Sequence, residues 1–429
     1  MSGEIKLTTR NALRVLRPGP FRRYIIGSAI SDTGTWMQVM AQGYVMATLT
    51  NKALLLGMAN FAAGLPMLAL TMVGGSAADR FDKRKILLIT QYVQIALAVG
   101  MGLLIWSGKI EMWHIFVFAA LLGISNSFEM PALSALVPEL VKREEIQSAI
   151  AIDRAVFHGS RLVGPAAAGL IVGLWGAVSV FFSNAISFVA LIIAILTLPP
   201  RREGTAEEEE KRSSGIKDGF RYIAKDRPSL AMVGLIATTT VFIFPIISVM
   251  MPLYVRNVLH LGPDSLGYLM SAGAIGAFFG ALFLLSIPRE KRIPLMMIFV
   301  GMVAFAIFGL SQVSTFRGAI GLLILNSLGL SMNFGLANTI VQERAPDYLR
   351  GRVSAVFGLS FFGLMPIAGL VITSASDLIG MRNALMTGSI LYGVIGLIIL
   401  ARVRKQCCEP AVSEITGTET PAPPVAATI

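Results

Sequence analysis

The feature that most restricts this chain recurs along its whole length: stretches almost free of charge, each long enough to cross a bilayer, divided by short polar connections. A helix needs about 20 mainly apolar residues to cross the hydrocarbon core. Stretches of that kind fall at 24–48, 54–78, 86–107, 113–137, 146–173, 176–198, 230–255, 265–287, 293–313, 317–342, 353–374 and 381–402. They are continuous rather than alternating, which fits helices and not barrel strands, and a backbone in lipid must satisfy its own hydrogen bonds. Composition agrees, with 55% hydrophobic and 14% charged residues, where a soluble domain carries about a quarter charged. The expectation is an all-α membrane protein of twelve transmembrane helices, spans 1 to 12.

The net charge of +11 would suit nucleic acid if it formed a patch, but it is sorted by side instead. Lys52, Lys109, Arg256, Arg317 and Arg382 lie in odd-numbered connections, and Arg154 and Arg161 within span 5; the other 29 of the 36 Lys and Arg lie in the N-terminal segment, the even-numbered connections and the C-terminal flank. The positive-inside rule then puts both termini in the cytoplasm, with the lipid bilayer as the chain's surroundings and no nucleic-acid partner. The first apolar stretch follows the basic segment Arg10–Arg23 and is long enough to span, so it is expected to be a helix rather than a cleavable signal peptide. Cys407 and Cys408 are adjacent on the cytoplasmic side, where spacing and a reducing compartment argue against a disulfide; a lipid-attachment role has only a weak signal. The Pro-, Thr- and Ala-rich residues after them read as disordered.

Between spans 6 and 7 the chain turns polar, with Pro199-Pro200-Arg201-Arg202, the acidic run Glu207–Glu210 and then Lys211-Arg212. The acidic run reads as a solvated connector, and Ile216, Phe220 and Ile223 at helical spacing predict a short surface helix after it. The expected organisation is a cytoplasmic segment 1–23, a six-helix bundle 24–198, a linker 199–229, a second six-helix bundle 230–402 and a cytoplasmic tail 403–429. An internal repeat supports the division. Val137-Pro-Glu139 and Ser148-Ala-Ile150 match Val341-Gln-Glu343 and Ser354-Ala-Val356 at offsets of 204 and 206 residues, and Gly75 and Gly280 lie 205 apart. Two bundles with the same internal order imply a site between them.

The connection after span 2 reads Gly75-Ser-Ala-Ala-Asp79-Arg80-Phe-Asp82-Lys83-Arg84-Lys85. It resembles the loop signature of the major facilitator superfamily, with Asp82 where many members carry a second Gly. Gly75 is expected to allow close helix approach, Asp79 to sit against a helix N-terminus and the basic cluster to stay cytoplasmic. Span 5 carries Gly159 and Gly164-Pro165-Ala-Ala-Ala168-Gly169, similar to the Gly-Pro motif of the superfamily's antiporters, with Ala168 replacing a Gly. That resemblance implies export, although small residues and a bend at Pro165 also serve packing alone. The second-half loop Ser286–Arg292 keeps its charge but lacks the Asp, so coupling is expected in the first half. Phe21-Arg22-Arg23-Tyr24, Gly34-Thr35-Trp36-Met37-Gln38 and Val137-Pro138-Glu139-Leu140-Val141 resemble the bacterial branch that includes the enterobactin exporter and drug or macrolide efflux proteins, over residues 18 to 402. The Arg that many drug–proton antiporters place in span 4 is absent from Leu122–Glu129, so their proton relay does not carry over.

An ionisable group inside the hydrocarbon costs about 2.5–3.5 kcal/mol, so it marks function or a pair. On span 1, Ser31, Thr35, Gln38 and Gln42 form a polar stripe with Asp32 and Trp36 beside it; on span 5, Arg154, His158 and Arg161 form another. The superfamily's arrangement brings span 5 near span 1, which implies that Asp32 meets His158 or Arg161. Two readings follow: Asp32 exchanges its proton as the partner engages, or the pair is static and fixes packing. Asp153 and Glu129 lie nearer the cytoplasmic ends and read as gate or capping residues. Asn126, Asn326, Asn333 and Thr238–Thr240 are further candidates for the substrate cavity, with packing as the alternative. The many Met and Phe suit bulky amphipathic ligands.

The resulting expectation is a monomeric secondary active transporter of a bacterial inner membrane that works by alternating access and exports an amphipathic small molecule against protons. No nucleotide-binding loop, metal cluster or nucleophile elbow is present, and His114, His158 and His260 form no recognisable site, so neither cofactor, metal nor enzymatic activity is expected. A lipid or lysolipid flippase, a nutrient importer and a non-transporting sensor on the same fold are the alternatives.

Overall fold

The computed structural model describes residues 13–198, 217–284 and 286–408. The first twelve residues, the polar run 199–216 with its acidic stretch and Ile216, and the tail after Cys408 lie outside them. The first six spans are Pro20–Leu49, Ala53–Arg80, Lys83–Trp106, Met112–Glu139, Ile146–Trp175 and Ala177–Leu196. Spans 8 to 10 are Pro263–Leu284, Arg292–Gln312 and Phe316–Arg344, and span 12 runs Met381–Cys408, past its expected end at residue 402. Ten stretches among the described residues are long and apolar enough to cross a membrane. Span 1, made less apolar by its polar stripe, and span 7, which is broken, bring the number to twelve.

Spans 7 and 11 depart from the continuous helices the sequence predicts. Span 7 consists of Arg227–Phe242, Phe244–Ser248 and Met251–Asn257. Thr238, Thr239 and Thr240 turn their hydroxyls back onto the carbonyls of Gly234, Leu235 and Ile236, which loosens a helix. Pro245 and Pro252 then supply no N–H to continue it. The Tyr254 hydroxyl anchors the last piece by donating to the Leu310 carbonyl at 2.9 Å. Span 11 consists of Arg350–Phe362 and Met365–Ile379, with the break just before Pro366. Broken backbone at membrane depth is tolerated where protein or water can satisfy it.

The repeat has a physical meaning. At the ends of the spans where the basic residues gather, here called the basic face, Lys83 at the start of span 3 pairs with Glu139 at the end of span 4 at 2.7 Å. Arg292 at the start of span 9 pairs with Glu343 at the end of span 10, also at 2.7 Å. The two matching Val-x-Glu segments therefore close the same corner of each bundle. The matching glycine is Gly74, not Gly75. Any side chain at Gly74 would run into the Ser127 carbonyl, just as one at Gly280 would meet the Leu328 carbonyl and Ser331, whereas Gly75 has open space around it.

The surface helix Lys217–Lys225 is present, with Ile223 buried and Phe220 exposed. It is tied to the second half. Asp218 pairs with Arg352 at 2.8 Å, the Tyr222 hydroxyl donates to the Arg344 carbonyl at 2.6 Å, and Asp226 takes two bonds from the Arg344 guanidinium at 2.6 and 2.8 Å while capping span 7 through Ser229 N–H. Burial pushes the Asp226 carboxyl up, but the bonds from Arg344 and Ser229 outweigh it and hold the group below its ordinary range.

Candidate functional site

The halves meet along two seams that are copies of one another, span 5 against span 8 and span 2 against span 11. Both lie away from the basic face. In the first, Gly169 sits against the backbone of Pro263 and Asp264, Gly267 sits against the Pro165 carbonyl, and the Ser271 hydroxyl donates to the Leu162 carbonyl at 2.6 Å. In the second, Gly57 faces Thr373 and Gly64 faces the Pro366 ring. The Gly-Pro motif thus builds the seam: Gly164 admits Trp36 and the Thr33 carbonyl of span 1, while Pro165 and Gly169 receive span 8. The helix runs on through Pro165 without a break.

Two charged side chains clasp the same end. Asp377, at the end of span 11, accepts from the N–H groups of Ala53 and Leu54 at 2.7 and 2.9 Å, which puts a carboxylate on the positive end of the span 2 dipole. Arg256, in the last turn of span 7, donates to the Ala47 carbonyl in the last turn of span 1 and reaches Asn51 at 3.4 Å. Neither residue stands out in the sequence, because each is a single charge in a short connection.

Toward the basic face the seams open. Below the seam, span 5 exposes Ile150, Arg154, Ala155, His158 and Gly159 on one stripe. A stripe bearing Arg154 and His158 is not a lipid face, which makes it a candidate cleft wall. The stripe of span 8 that continues from Gly267 and Ser271 carries Ile275, Phe278 and Leu282, all exposed. On span 11 the stripe that continues from Pro366 carries Phe362, 61% exposed. Phe362 belongs to an edge-to-face group in which Phe361 contacts Phe362, Phe334 and Phe244 at ring separations of 5.0, 5.4 and 4.7 Å. Phe244 and Phe361 lie beside the two helix breaks. The first half's side of the candidate cleft thus carries charge and the second's apolar and aromatic surface.

The charge pair expected between Asp32 and His158 or Arg161 is not formed. Asp32 accepts from Ser28 at 3.1 Å, and the Arg161 guanidinium lies over the Trp36 ring, 5.2 Å from its centroid. Spans 1 and 5 run in the same direction, so Arg161 comes level with Trp36, one turn beyond Asp32, and a cation–π contact takes it up. His158 meets Phe157 edge-on at 5.6 Å, and Phe157 meets Trp36 at 5.9 Å. Asp32 faces other acids, Asp153 and, from span 4, Glu129. Asp153 accepts from the Tyr24 hydroxyl at 3.2 Å.

Other candidates settle into packing. Gln38 accepts from Asn184 of span 6 at 2.8 Å, and Gln42 is half-buried. Asn126 accepts from Gln94 at 3.4 Å. Asn326 and Asn333 do not line the cleft: they are 0% and 1% exposed on the inner face of span 10, where an apolar-looking heptad hides them. Oriented to satisfy its amide, Asn333 donates to the Met296 carbonyl and accepts from Val300 N–H, each at 3.2 Å. At the basic face Asp79, Arg80 and Arg84 stand near the surface, and Asp82 caps a helix through Arg84 N–H at 3.0 Å. Glu129, expected to gate or cap, instead takes bonds from two buried glutamines of span 3, Gln91 and Gln94. That i, i+3 amide pair in an apolar span was the available signal.

Two six-helix halves joined along paired seams have the architecture of a secondary transporter of the major facilitator type. The fold is shared with a bacterial homologue of the human lysosomal transporter Spinster, at TM-score 0.71 and 12% identity over 90% of this chain and 97% of that one, and with a D-xylose–proton symporter, at 0.66 and 13% over 88% and 97%. Residues 11–429 match the model of the transmembrane secretion effector family, and the chain belongs to that family. It is similar to the multidrug efflux pump Tap of Mycobacterium tuberculosis, 23% identical over 89% of this chain and 93% of the pump. It is also similar to the staphyloferrin A transporter of Staphylococcus aureus, 25% identical over 81% and 87%, and to macrolide efflux protein A of Streptococcus pyogenes, 24% over 85% and 91%.

Proposed function

We propose that the protein exports an amphipathic small molecule across a bacterial inner membrane in exchange for protons, acting as a monomer. One observation carries the reading: the first half bears a charged, exposed stripe with Asp32, which has no ion-pair partner among the described residues, beside it, and the second half bears a phenylalanine cluster; the two are read as the walls of one cleft open at the basic face. In this reading the basic face and both termini are cytoplasmic, so the cleft is open toward the cell interior and ready to load. An amphipathic ligand rests its apolar body on Phe334, Phe361 and Phe362 and turns its polar end toward Arg154 and Arg161. Asp32 binds a proton in one state and releases it in the other. Because one chain encloses the whole cleft, no second copy is required. The relatives named for multidrug efflux, macrolide efflux and staphyloferrin A transport support a small-molecule substrate.

The test is the pH gradient in energised inside-out vesicles containing the native protein, challenged in turn with a lipophilic cation, a macrolide, a siderophore and a lysolipid. Dissipation by one of the first three, absent from vesicles without the protein, is the expected result. If none of them moves protons while labelled lysolipid crosses, a lipid flippase replaces the proposal.

A further inference from the structure

The carboxylate of Glu129 occupies a site that its transport neighbours do not explain. Gln91 donates to one of its oxygens at 2.6 Å and Gln94 to the other. Gln94 Nε2 is also 3.4 Å from Ser125 Oγ and 3.4 Å from Asn126 Oδ1. Three oxygens therefore converge on a nitrogen that has two hydrogens to give. Ser125 has its own hydrogen turned toward the Thr90 carbonyl, 3.5 Å away. The remaining atom of the cluster is Gln91 Oε1, on a side chain that is 0% exposed, and it has no donor at all.

Hydrogen-bond accounting and charge accounting give the same answer. Acceptors outnumber donors, and the cluster holds a negative charge with no cation at ion-pairing distance among the described residues. The surrounding helices supply none. Spans 2 and 3 are charged only at their ends, where Lys83 is taken by Glu139. Span 1 presents Asp32, another acid, and span 5 presents Asp153, with Arg154 beside it. What the cluster lacks is one hydrogen-bond donor carrying one positive charge. Glu129 is half-buried rather than sealed, and a proton carried by water supplies both.

We infer that Glu129, cradled by Gln91 and Gln94, is a second proton-binding site. A hydronium ion in the cleft gives its proton to the Glu129 oxygen now bonded to Gln91 and leaves as water. The Gln91 amide turns over, so that its unpartnered Oε1 accepts from the new O–H. The neutral state has the donor that the charged state is missing. This inference rests on the proton-coupled reading for its purpose, not for its existence.

The experiment is an infrared pH titration of the full protein reconstituted in liposomes, following the C=O stretch of protonated carboxyl groups. The expected result is a titrating component that is lost in Glu129→Gln and kept in Asp32→Asn and in Glu129→Asp. In Gln91→Leu the component should persist with its midpoint moved by about one pH unit, the size expected when a hydrogen bond to a charged group is lost. A component unaffected by Glu129→Gln overturns the site, and an unmoved midpoint in Gln91→Leu overturns the role of the amide. Loss of the component on adding Na+ at constant pH overturns the proton assignment in favour of a metal cation. If the Glu129 component titrates as expected but native protein shows no gradient-driven transport, the site stands and proton-coupled export falls.

Discussion

The two halves are alike where they hold together and unlike where they face the cleft. Each closes its basic corner with one cation on a glutamate, Lys83 on Glu139 and Arg292 on Glu343, and each packs a glycine against the neighbouring helix backbone, Gly74 and Gly280. Their cleft walls share almost nothing. The first presents Asp32, Arg154, His158 and Arg161, and the second presents Phe278, Phe334, Phe361 and Phe362. A repeat preserves what the bilayer demands of any six-helix bundle, close helix packing and paired charge at the membrane edge. The lining is under no such demand, and there the halves have taken separate tasks, charge on one side and apolar contact on the other.

The strongest way to break this comparison is to attack the shared scaffold. Gly74→Leu and Gly280→Leu each force a side chain into a helix backbone, and overpacking of that kind costs about 1–3 kcal/mol. Both are expected to lower the thermal stability of the purified protein by similar amounts, while Gly75→Ala leaves it unchanged. If only one of the pair matters, the halves are not equivalent in packing. The next effect is on the lining. Phe361→Ala removes the ring at the centre of the aromatic group and is expected to raise the KM for an apolar substrate by about tenfold, the equivalent of some 1.4 kcal/mol of contact. An unchanged KM would remove the second half from substrate binding.

How much of this was legible depends on the physics each feature expresses. The spans, their sidedness and the repeat follow from hydrophobicity and charge, which the sequence carries openly. The breaks in spans 7 and 11 were foreshadowed by Pro245, Pro252 and Pro366, yet hydropathy does not register a missing N–H. The Asp32–Arg161 pair failed because spacing gives the face of a helix and not its level against a neighbour, and Trp36 lies level with Arg161. Asn326 and Asn333 failed for the opposite reason: a polar side chain on a transmembrane helix can face inward as easily as toward a cavity. Glu129 was visible, but its importance depends on Gln91 and Gln94 from another span.

A smaller effect sharpens the comparison at the seam. Asp377→Asn leaves one oxygen for the N–H of Ala53 or Leu54, sets an NH2 against the other, and removes the charge at the span 2 dipole, worth about 0.3–1 kcal/mol. It is expected to shift the population toward the state open on the opposite face by about two- to fivefold, read as spin-label distances across the two faces. No shift would mean that the glycine seams alone hold that end. The smallest effect belongs to the surface helix. The folded pKa of Asp226 is depressed, so its contribution is present above the ordinary carboxylate value of about 3.9 and is lost as pH falls through the lower folded value. Asp226 and Arg344 are partly exposed, so Asp226→Asn should cost at most about 1 kcal/mol at neutral pH. The difference in melting temperature from native protein should vanish in acid.

The central claim is that coupling sits in the first half and can be separated from substrate binding. It is tested most directly by Asp32→Asn in proteoliposomes, with gradient-driven accumulation and exchange at equal pH measured on the same preparation. The account predicts that accumulation is lost while exchange continues with a KM within about twofold of native. Accumulation that survives, or exchange that is lost along with it, would contradict the account.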